Sequence, residues 1–467
     1  MLENVKVILE AVGSFFVLYM MTYSTFLLLS VVVGSSVLYR NKQMADLHNE
    51  IKQDYYYPVT IIVPAHNEEV TVVDTVRSLL QLDYKLYEII VVDDGSNDLT
   101  AQKLIDAFDL RRVHRPLQRQ IACQPEEYIF ESQAQKVPVV LVRKKNGGKA
   151  DALNMGINAS RFPYFVCLDA DSMLQADALE HIVRPALSDE NMVACGGMVR
   201  IANGVILENG SVVDYHLPNN ILICMQILEY DRSFMASRLL LDAFNGNLII
   251  SGAFGLFKKD IVIAAGGYDS STLGEDMELV VKLHVFCRKY DIPYTIRYAA
   301  DAICWSQAPA TLNDLRKQRR RWHLGLFQSM WKHRQILLNP EFGVLSYFSF
   351  LYFLFYELLS PYIELFGLIT VASAFALNLI NLSFMIWFFA VYAVFGAVLT
   401  MTAFFARIYT QNAKLSFSDV VKALLLCLLE NIGLRLLIAF VRMTAFIGYR
   451  KNKMQWGKIT RSKLNRI

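Results

Sequence analysis

Hydrophobic positions along the chain follow two rhythms. From Val12 to Leu38 they form an unbroken, uncharged run, closed by Arg40 and Lys42. It exceeds the ~20 residues that a membrane-crossing helix needs. Cations directly after such a run predict that this end faces the cytoplasm and that the N-terminus lies outside. The run is too long for a cleaved signal peptide and has no basic leader, so it reads as an anchor over residues 1–42. From Tyr57 the rhythm shortens. Val59–Pro64 and Glu88–Asp94 are β-branched runs ended by turn residues, with a helical pattern over Val70–Leu80 between them. That is a βαβ unit, which implies parallel strands and a right-handed crossover. Further strands are expected at Val137–Val142, Tyr164–Leu168 and Val193–Val199. The polar span Phe108–Gln135 separates the second and third strands unusually widely and reads as a surface insertion.

After Trp322 the pattern is amphipathic to about Leu338 and then apolar. Phe348–Ala376 and Phe384–Ala406 are long enough to span, with Pro361 expected to kink the first. Val420–Tyr449 is interrupted by Lys422, Glu430, Arg435 and Arg442, which are costly in hydrocarbon, so it reads as interfacial or re-entrant. Two spans after a cytoplasmic domain return the chain to the cytoplasm. A five-span arrangement, with the first run split at Pro361, satisfies the same parity.

Composition agrees with this division. Of 467 residues 54% are hydrophobic, which is too apolar for an ordinary soluble enzyme. The net charge of +3 is small, but the tail from Arg450 to Arg466 carries Lys and Arg without Asp or Glu and should stay in the cytoplasm. Seven cysteines are scattered with no C-x-x-C and no zinc-ligand spacing, as expected of reduced core residues.

Candidate chemistry begins with Asp93-Asp94-Gly95-Ser96 at the end of the second strand. Ligands of open α/β sheets bind beyond the carboxyl ends of strands, so paired carboxylates and a glycine turn there suit a nucleotide base or ribose. Pro64–Glu68, ending the first strand, faces the same crevice and adds Glu68 to the nucleotide-binding candidates. Asp169 and Asp171 are separated by one residue after the apolar strand Tyr164–Leu168. Along an extended chain they project to one side and can share a divalent cation, with oxygen ligands favouring Mg²⁺ or Mn²⁺. Between these motifs, Asn146-Gly147-Gly148-Lys149 opens a helix whose amides and lysine favour an anionic ligand. Ser251-Gly252-Ala253-Phe254-Gly255 places small residues around an aromatic, suited to close approach by a sugar ring. Gly274-Glu275-Asp276 then begins an amphipathic helix, where a carboxylate either complements the dipole or accepts a proton from an incoming hydroxyl.

A dense cationic run, Arg316-Lys317-Gln318-Arg319-Arg320-Arg321-Trp322, sits at the seam between the α/β region and the apolar half. It suits lipid headgroups, a phosphate, or a sugar stacked on the indole.

Taken in order, DDGS, GGKADALN, DAD, SGAFG, GED and QRRRW resemble the processive membrane family-2 glycosyltransferases, which include cellulose, chitin, hyaluronan and poly-N-acetylglucosamine synthases. The resemblance covers Tyr57 to Trp322 and continues loosely to Gln455–Arg461, similar to a W-G-T-R tail with two residues inserted. It implies an α/β GT-A-type, Rossmann-like domain inserted between transmembrane helices, with a helical membrane portion. The expected plan is a cytosolic transferase domain at 55–310 and amphipathic interface helices at 311–345. Two transmembrane helices at 346–407, interfacial or re-entrant helices at 414–450 and a basic tail at 451–467 follow.

The resemblance further implies that Asp93 or Asp94 contacts the uracil or ribose of a UDP-sugar. Asp171, with Asp169, would hold the metal on the diphosphate, and Asp276 would be the general base. Gln318, Arg321 and Trp322 match Q-x-x-R-W, the arginine meeting the diphosphate and the tryptophan stacking under the acceptor. Lys149 and Glu68 join the donor side; Gly252, Ala253, Phe254 and Glu275 join the acceptor side. Arg316, Lys317, Arg319 and Arg320 are left as interfacial cations near phospholipid headgroups. Tyr352, Phe355, Tyr356 and Tyr362 are available to stack on a chain leaving through the spans, and Glu357, an intramembrane carboxylate, suggests a polar path. Two departures stand out: Gly274 replaces the usual threonine, and no cyclic-di-nucleotide-binding domain follows the tail, so that regulatory scheme is not expected.

The implied activity is inverting, processive polymerisation of UDP-glucose or UDP-N-acetylglucosamine into a β-linked polysaccharide that is moved across the plasma (inner) membrane. The expected partners are the UDP-sugar, the growing chain, membrane lipids and accessory export or assembly subunits, with no nucleic acid. A non-processive transferase acting on a membrane lipid would use the same nucleotide and metal motifs. A non-catalytic export subunit would not need Asp169, Asp171 and Asp276.

Overall fold

The computed structural model describes residues 2–48, 56–133, 135–208, 210–232, 237–410 and 415–449. The basic tail and the Gln455–Arg461 motif lie outside the described residues. At the centre is a ten-stranded mixed sheet in the order β3-β4-β5-β2-β1-β6-β11-β8-β12-β7. Its middle is parallel: β1 (Val59–Ala65) pairs with β2 (Tyr87–Asp94) on one side and β6 (Tyr164–Leu168) on the other. β5 (Val139–Lys144) continues beyond β2. These strands read as continuous apolar runs because helices cover both faces. The helices are α2 (Val72–Leu79), α3 (Thr100–Phe108), α4 (Lys149–Ala159) and α5 (Ala178–Ser188). β8 (Met192–Ile201), β11 (Phe254–Lys258), β12 (Thr295–Ser306) and β7 (Met173–Leu174) complete the far side, with β11 antiparallel to both neighbours. A separate hairpin joins β9 (Val205–Glu208) to β10 (Ser211–Tyr215).

The span expected to be a surface insertion is part of the sheet. β3 (Leu110–Arg112) and β4 (Glu126–Ser132) add two antiparallel strands beside β5. The connection between them is anchored from within: Arg115 is buried, pairs with Glu88 at 3.1 Å and donates to the Ala159 carbonyl at 2.9 Å. Asn158 accepts from the Gln120 and Ile121 amides at 3.0 Å each.

The apolar ends form helices that flank this domain. α1 (Leu2–His48) and α12 (Leu382–Thr410) contain the two described helices long and apolar enough to cross a membrane. Their C-terminal ends meet, with Lys42 Nζ donating to the Tyr409 carbonyl at 2.9 Å. Two bent pairs bring the number of membrane-compatible spans to as many as four. In the first, π-helical turns at Leu345–Phe350 and Phe353–Leu358 precede α11 (Ser360–Ala376), with a bend of 57°. The break falls at Leu359, two residues before Pro361, which sits in the first turn of α11 where no amide donor is needed, so the kink expected at Pro361 is present. In the second, α13 (Phe417–Ile432) and α14 (Leu434–Met443) meet at Gly433 with a bend of 40°.

α6 (Ile221–Tyr230), α7 (Arg238–Asp242), α8 (Lys259–Ala264), α9 (Glu275–Lys289) and α10 (Leu312–Lys332) link the two halves. Glu278 on α9 is fully buried and receives Lys332 Nζ at 2.6 Å and His333 Nε2 at 3.1 Å from the end of α10. Burial pushes its carboxyl up, but the His333 hydrogen bond and the two lysines, Lys282 and Lys332, outweigh this and hold it at about 2. A depressed carboxylate contributes stability that is complete above its ordinary value near 4.5 and is lost as pH falls towards 2. Thermal unfolding between pH 6 and pH 3 should therefore show Glu278→Gln losing on the order of 3 kcal/mol at pH 6 and much less at pH 3. A deficit independent of pH would contradict the assignment.

Candidate active site

The carboxyl ends of the parallel strands open onto one cavity of about 1190 Å³. Four of the sequence motifs meet there: Pro64–Glu68 at the end of β1, Asp94 ending β2, Asn146–Lys149 after β5, and Asp169 with Asp171 after β6. Asp94 is pinned in place. It accepts from the Gly147 amide at 3.0 Å and the Gly148 amide at 2.7 Å, and it pairs with the buried Lys144 Nζ, which also reaches Asp151 at 2.7 Å. The anion held by these turn amides is thus the chain's own carboxylate, and the turn requires Gly148 at φ +90°. Asp93 is fully buried, accepts from the Ser96 amide at 2.9 Å and does not line the cavity. Glu68 does line it, accepting from the Thr71 hydroxyl at 3.0 Å.

Lys149 is the hub of the polar wall. Its Nζ lies 2.5 Å from Asp169 Oδ1, 3.4 Å from Glu275 Oε1 and 3.4 Å from the Gly252 carbonyl. Burial opposes its charge, but Asp169 and Glu275 outweigh burial and hold the ammonium protonated. Burial pushes the Glu275 carboxyl up against the pull of Lys149. Beside it, Asp276 Oδ2 accepts from the Gly252 amide at 3.1 Å, so the small-residue loop fixes this carboxylate at the cavity wall. Gly252 and Ala253 line the cavity; Phe254 does not. Its ring fills the core over Gly197, where a Cβ would fall 2.1 Å from it, so Phe254 packs the sheet rather than a ligand.

Gln318, Arg321 and Trp322 reach the cavity from α10. Gln318 Oε1 is buried and has no hydrogen-bond partner among the described residues. The indole of Trp322 is 38% exposed and backed by Arg319, whose guanidinium lies 4.5 Å from the ring centroid. Arg319 is itself buried and forms two hydrogen bonds to Glu229, at 2.9 and 2.7 Å. It is not an interfacial cation but the support of the indole. Arg320 donates to the Ala445 and Ile447 carbonyls at 3.0 and 2.7 Å, which ties α10 to the turn after α14. Lys317 pairs with Asp314 at 3.3 Å and Arg316 is exposed, so these two keep a surface character.

Gly274 has a steric reason. A Cβ there would fall 2.9 Å from Gly325 Cα, and one at Gly325 would fall 2.7 Å from Gly274 N. α9 and α10 therefore touch backbone to backbone, and a threonine does not fit. Gln328 Oε1 adds hydrogen bonds from the Leu273 amide at 2.7 Å and the Thr272 hydroxyl at 3.1 Å. The start of α9, which carries Asp276, and the helix carrying Trp322 form one unit.

Asp169 and Asp171 both line the cavity. Among the described residues no group of three or more His, Cys, Asp or Glu is placed to hold a metal ion. Two carboxylates suit a hard cation that completes its shell with water and the phosphate oxygens of a ligand, so the residues present fit such an ion.

Two family models match in succession. "Glycosyl transferase family 2" covers residues 60–122 and "Glycosyltransferase like family 2" covers 125–325, together spanning the sheet and the Trp322 helix. The chain is a family-2 glycosyltransferase. It is similar to the poly-beta-1,6-N-acetyl-D-glucosamine synthase of Staphylococcus aureus strain COL, with 29% identity over 346 residues, 73% of this chain and 71% of the relative. The Staphylococcus epidermidis synthase of the same name is 29% identical over 321 residues, 67% of each chain. Among solved structures, the mannosyltransferase PcManGT from Pyrobaculum calidifontis, in complex with GDP-Man and Mn²⁺, superposes with a TM-score of 0.53 at 17% identity. It covers 88% of this chain and 99% of that one, and supports the GT-A fold.

In this glycosyltransferase the cavity continues past Trp322 among the apolar helices. Tyr352, Tyr356 and Glu357 line it; Phe355 and Tyr362 do not. Three carboxylates there are each matched by an arginine: Glu357 with Arg442 at 3.3 Å, Glu364 with Arg435 at 2.8 Å, and Glu430 with Arg232 at 2.8 Å. Glu229, Tyr230 and Arg232 escape motif reading. Their signal was the charged cluster Glu229-Tyr230-Asp231-Arg232 that closes an otherwise apolar helix.

Proposed function

We propose that the chain is an inverting, metal-dependent, processive β-glycosyltransferase. It would polymerise a UDP-sugar, UDP-N-acetylglucosamine or UDP-glucose, and pass the β-linked product across the membrane. The observation that carries this reading is one cavity lined together by Asp94, Asp169, Asp171, Asp276 and Trp322 and by Tyr356 and Glu364 of the apolar helices. Residues suited to a donor site, a base, an aromatic platform and a polar path all line it.

Asp169 and Asp171 would hold a divalent cation, which when bound offsets the charge that develops on the diphosphate leaving group. Arg321, which also lines the cavity, would add a fixed cation. Asp276 takes the proton of the acceptor hydroxyl as that oxygen attacks C1 from the face opposite the diphosphate, so an α-linked donor gives a β-linked product. Trp322, held by Arg319 and Glu229, supports the acceptor ring. The relatives are poly-beta-1,6-N-acetyl-D-glucosamine synthases, which makes N-acetylglucosamine the first sugar to test.

Purified full-length protein should convert one radiolabelled UDP-sugar, with Mg²⁺ or Mn²⁺, into a polymer cut by a linkage-specific hydrolase. A single sugar on lipid would instead indicate the non-processive transferase, and no transfer from any donor would overturn both. For Trp322→Ala, the acceptor KM should rise by roughly tenfold, the equivalent of about 1.4 kcal/mol, while UDP binding is kept. Equal loss of both would argue against stacking.

A further inference from the structure

His323 follows Trp322 on α10 but lies outside the Q-x-x-R-W motif and takes no part in the chemistry above. It is 2% exposed and lines the cavity, on the side where α10 faces α14. Neither Nδ1 nor Nε2 has a hydrogen-bond partner among the described residues. The surroundings are otherwise apolar. Phe446 meets the ring edge-on at a centroid distance of 5.7 Å, beside the cluster of Leu273, Leu324 and Ala445. Arg442, turned towards Glu357 at 3.3 Å, is the neighbouring charge. Burial, reinforced by Arg442, pushes the imidazole down to about 3, so it is neutral at physiological pH, with one N–H donor and one bare nitrogen.

A buried ring with both nitrogens unpaired is destabilising, and a phenyl ring would suit this apolar setting better. Its position beside the cavity supplies a reason for keeping it. A cation would be repelled by Arg442, and an anion would serve only the N–H edge. A sugar hydroxyl both donates and accepts, so it matches either tautomer.

We propose that His323 is an acceptor-positioning residue that hydrogen-bonds a hydroxyl of the sugar unit lying beyond Trp322, on the membrane side. The proposal rests on the polymer-forming reading and adds a second contact to the aromatic platform: the indole supports a ring face, and the imidazole sets the register of the chain.

The test compares full-length wild type, His323→Phe and His323→Gln in lipid nanodiscs, using the UDP-sugar that wild type polymerises and a short oligosaccharide of the same sugar. For His323→Phe the expected result is thermal stability equal to or above wild type, unchanged UDP binding, an acceptor KM raised about tenfold with kcat little altered, and shorter products. His323→Gln, which keeps a donor and an acceptor, should recover most of the acceptor KM and product length. An acceptor KM within twofold of wild type together with unchanged product length in His323→Phe would overturn the proposal. So would joint loss of thermal stability and UDP binding, which marks a packing role. Should wild type itself transfer no sugar, the polymer-forming reading falls and the proposal falls with it, an outcome distinct from active wild type beside an indifferent His323→Phe.

Discussion

An Asp276→Asn enzyme is expected to bind UDP as tightly as the parent and to lose transfer by a factor on the order of 10² to 10⁴, the usual range for removing a general base. The substitution is nearly isosteric. The carboxamide oxygen can still accept from the Gly252 amide that holds Asp276 at 3.1 Å, so the loop and the start of α9 should remain in place. What the carboxamide cannot do is take a proton from the acceptor hydroxyl. The neighbouring Glu275 does not substitute for it, because its carboxylate is buried and turned to Lys149 at 3.4 Å. Titrating UDP against each protein and then measuring initial rates at saturating donor separates the two effects. Polymer yield near that of wild type would remove Asp276 from the chemistry.

The parts of the fold that sequence made legible are those whose environment is uniform. β1, β2 and β6 are buried on both faces, so each is a continuous apolar run ended by a turn. β4 was hidden because it lies towards the sheet edge: in EEYIFES only Ile129 is buried, and charged residues occupy much of the rest. The site divides in the same way. Asp94, Asp169 and Asp276 sit where strands or a helix begin or end, and those positions follow from local pattern. Arg319 and Arg320 do not differ locally from surface cations; only Glu229, 90 residues away, and the Ala445 carbonyl, 125 residues away, give them their roles. Gly274 was visible as a departure, but its cause is a backbone contact with Gly325 that no local pattern encodes.

Lys149→Met should produce the largest structural loss. The ammonium lies within 3.4 Å of Asp169 and Glu275, and of the two Glu275 is only 5% exposed. Removing one member of a buried charge set leaves the other uncompensated, a cost of about 3–5 kcal/mol. The sign of the pH dependence follows from Glu275. Burial already raises its carboxyl above 4.5, and loss of Lys149 raises it further. A carboxyl raised in the folded state binds a proton more readily than in the unfolded chain, so stability falls as pH rises through that range. The deficit of Lys149→Met should therefore be largest near neutral pH and shrink as pH drops towards 4.5. Adding Glu275→Gln removes the orphaned charge and should restore most of the stability. UDP-sugar binding should stay weak in the double variant if Lys149 also serves the donor by orienting Asp169. Stability and donor binding recovering together would reduce Lys149 to a counter-ion for Glu275, while a deficit unchanged by Glu275→Gln would place the cost elsewhere in the cavity wall.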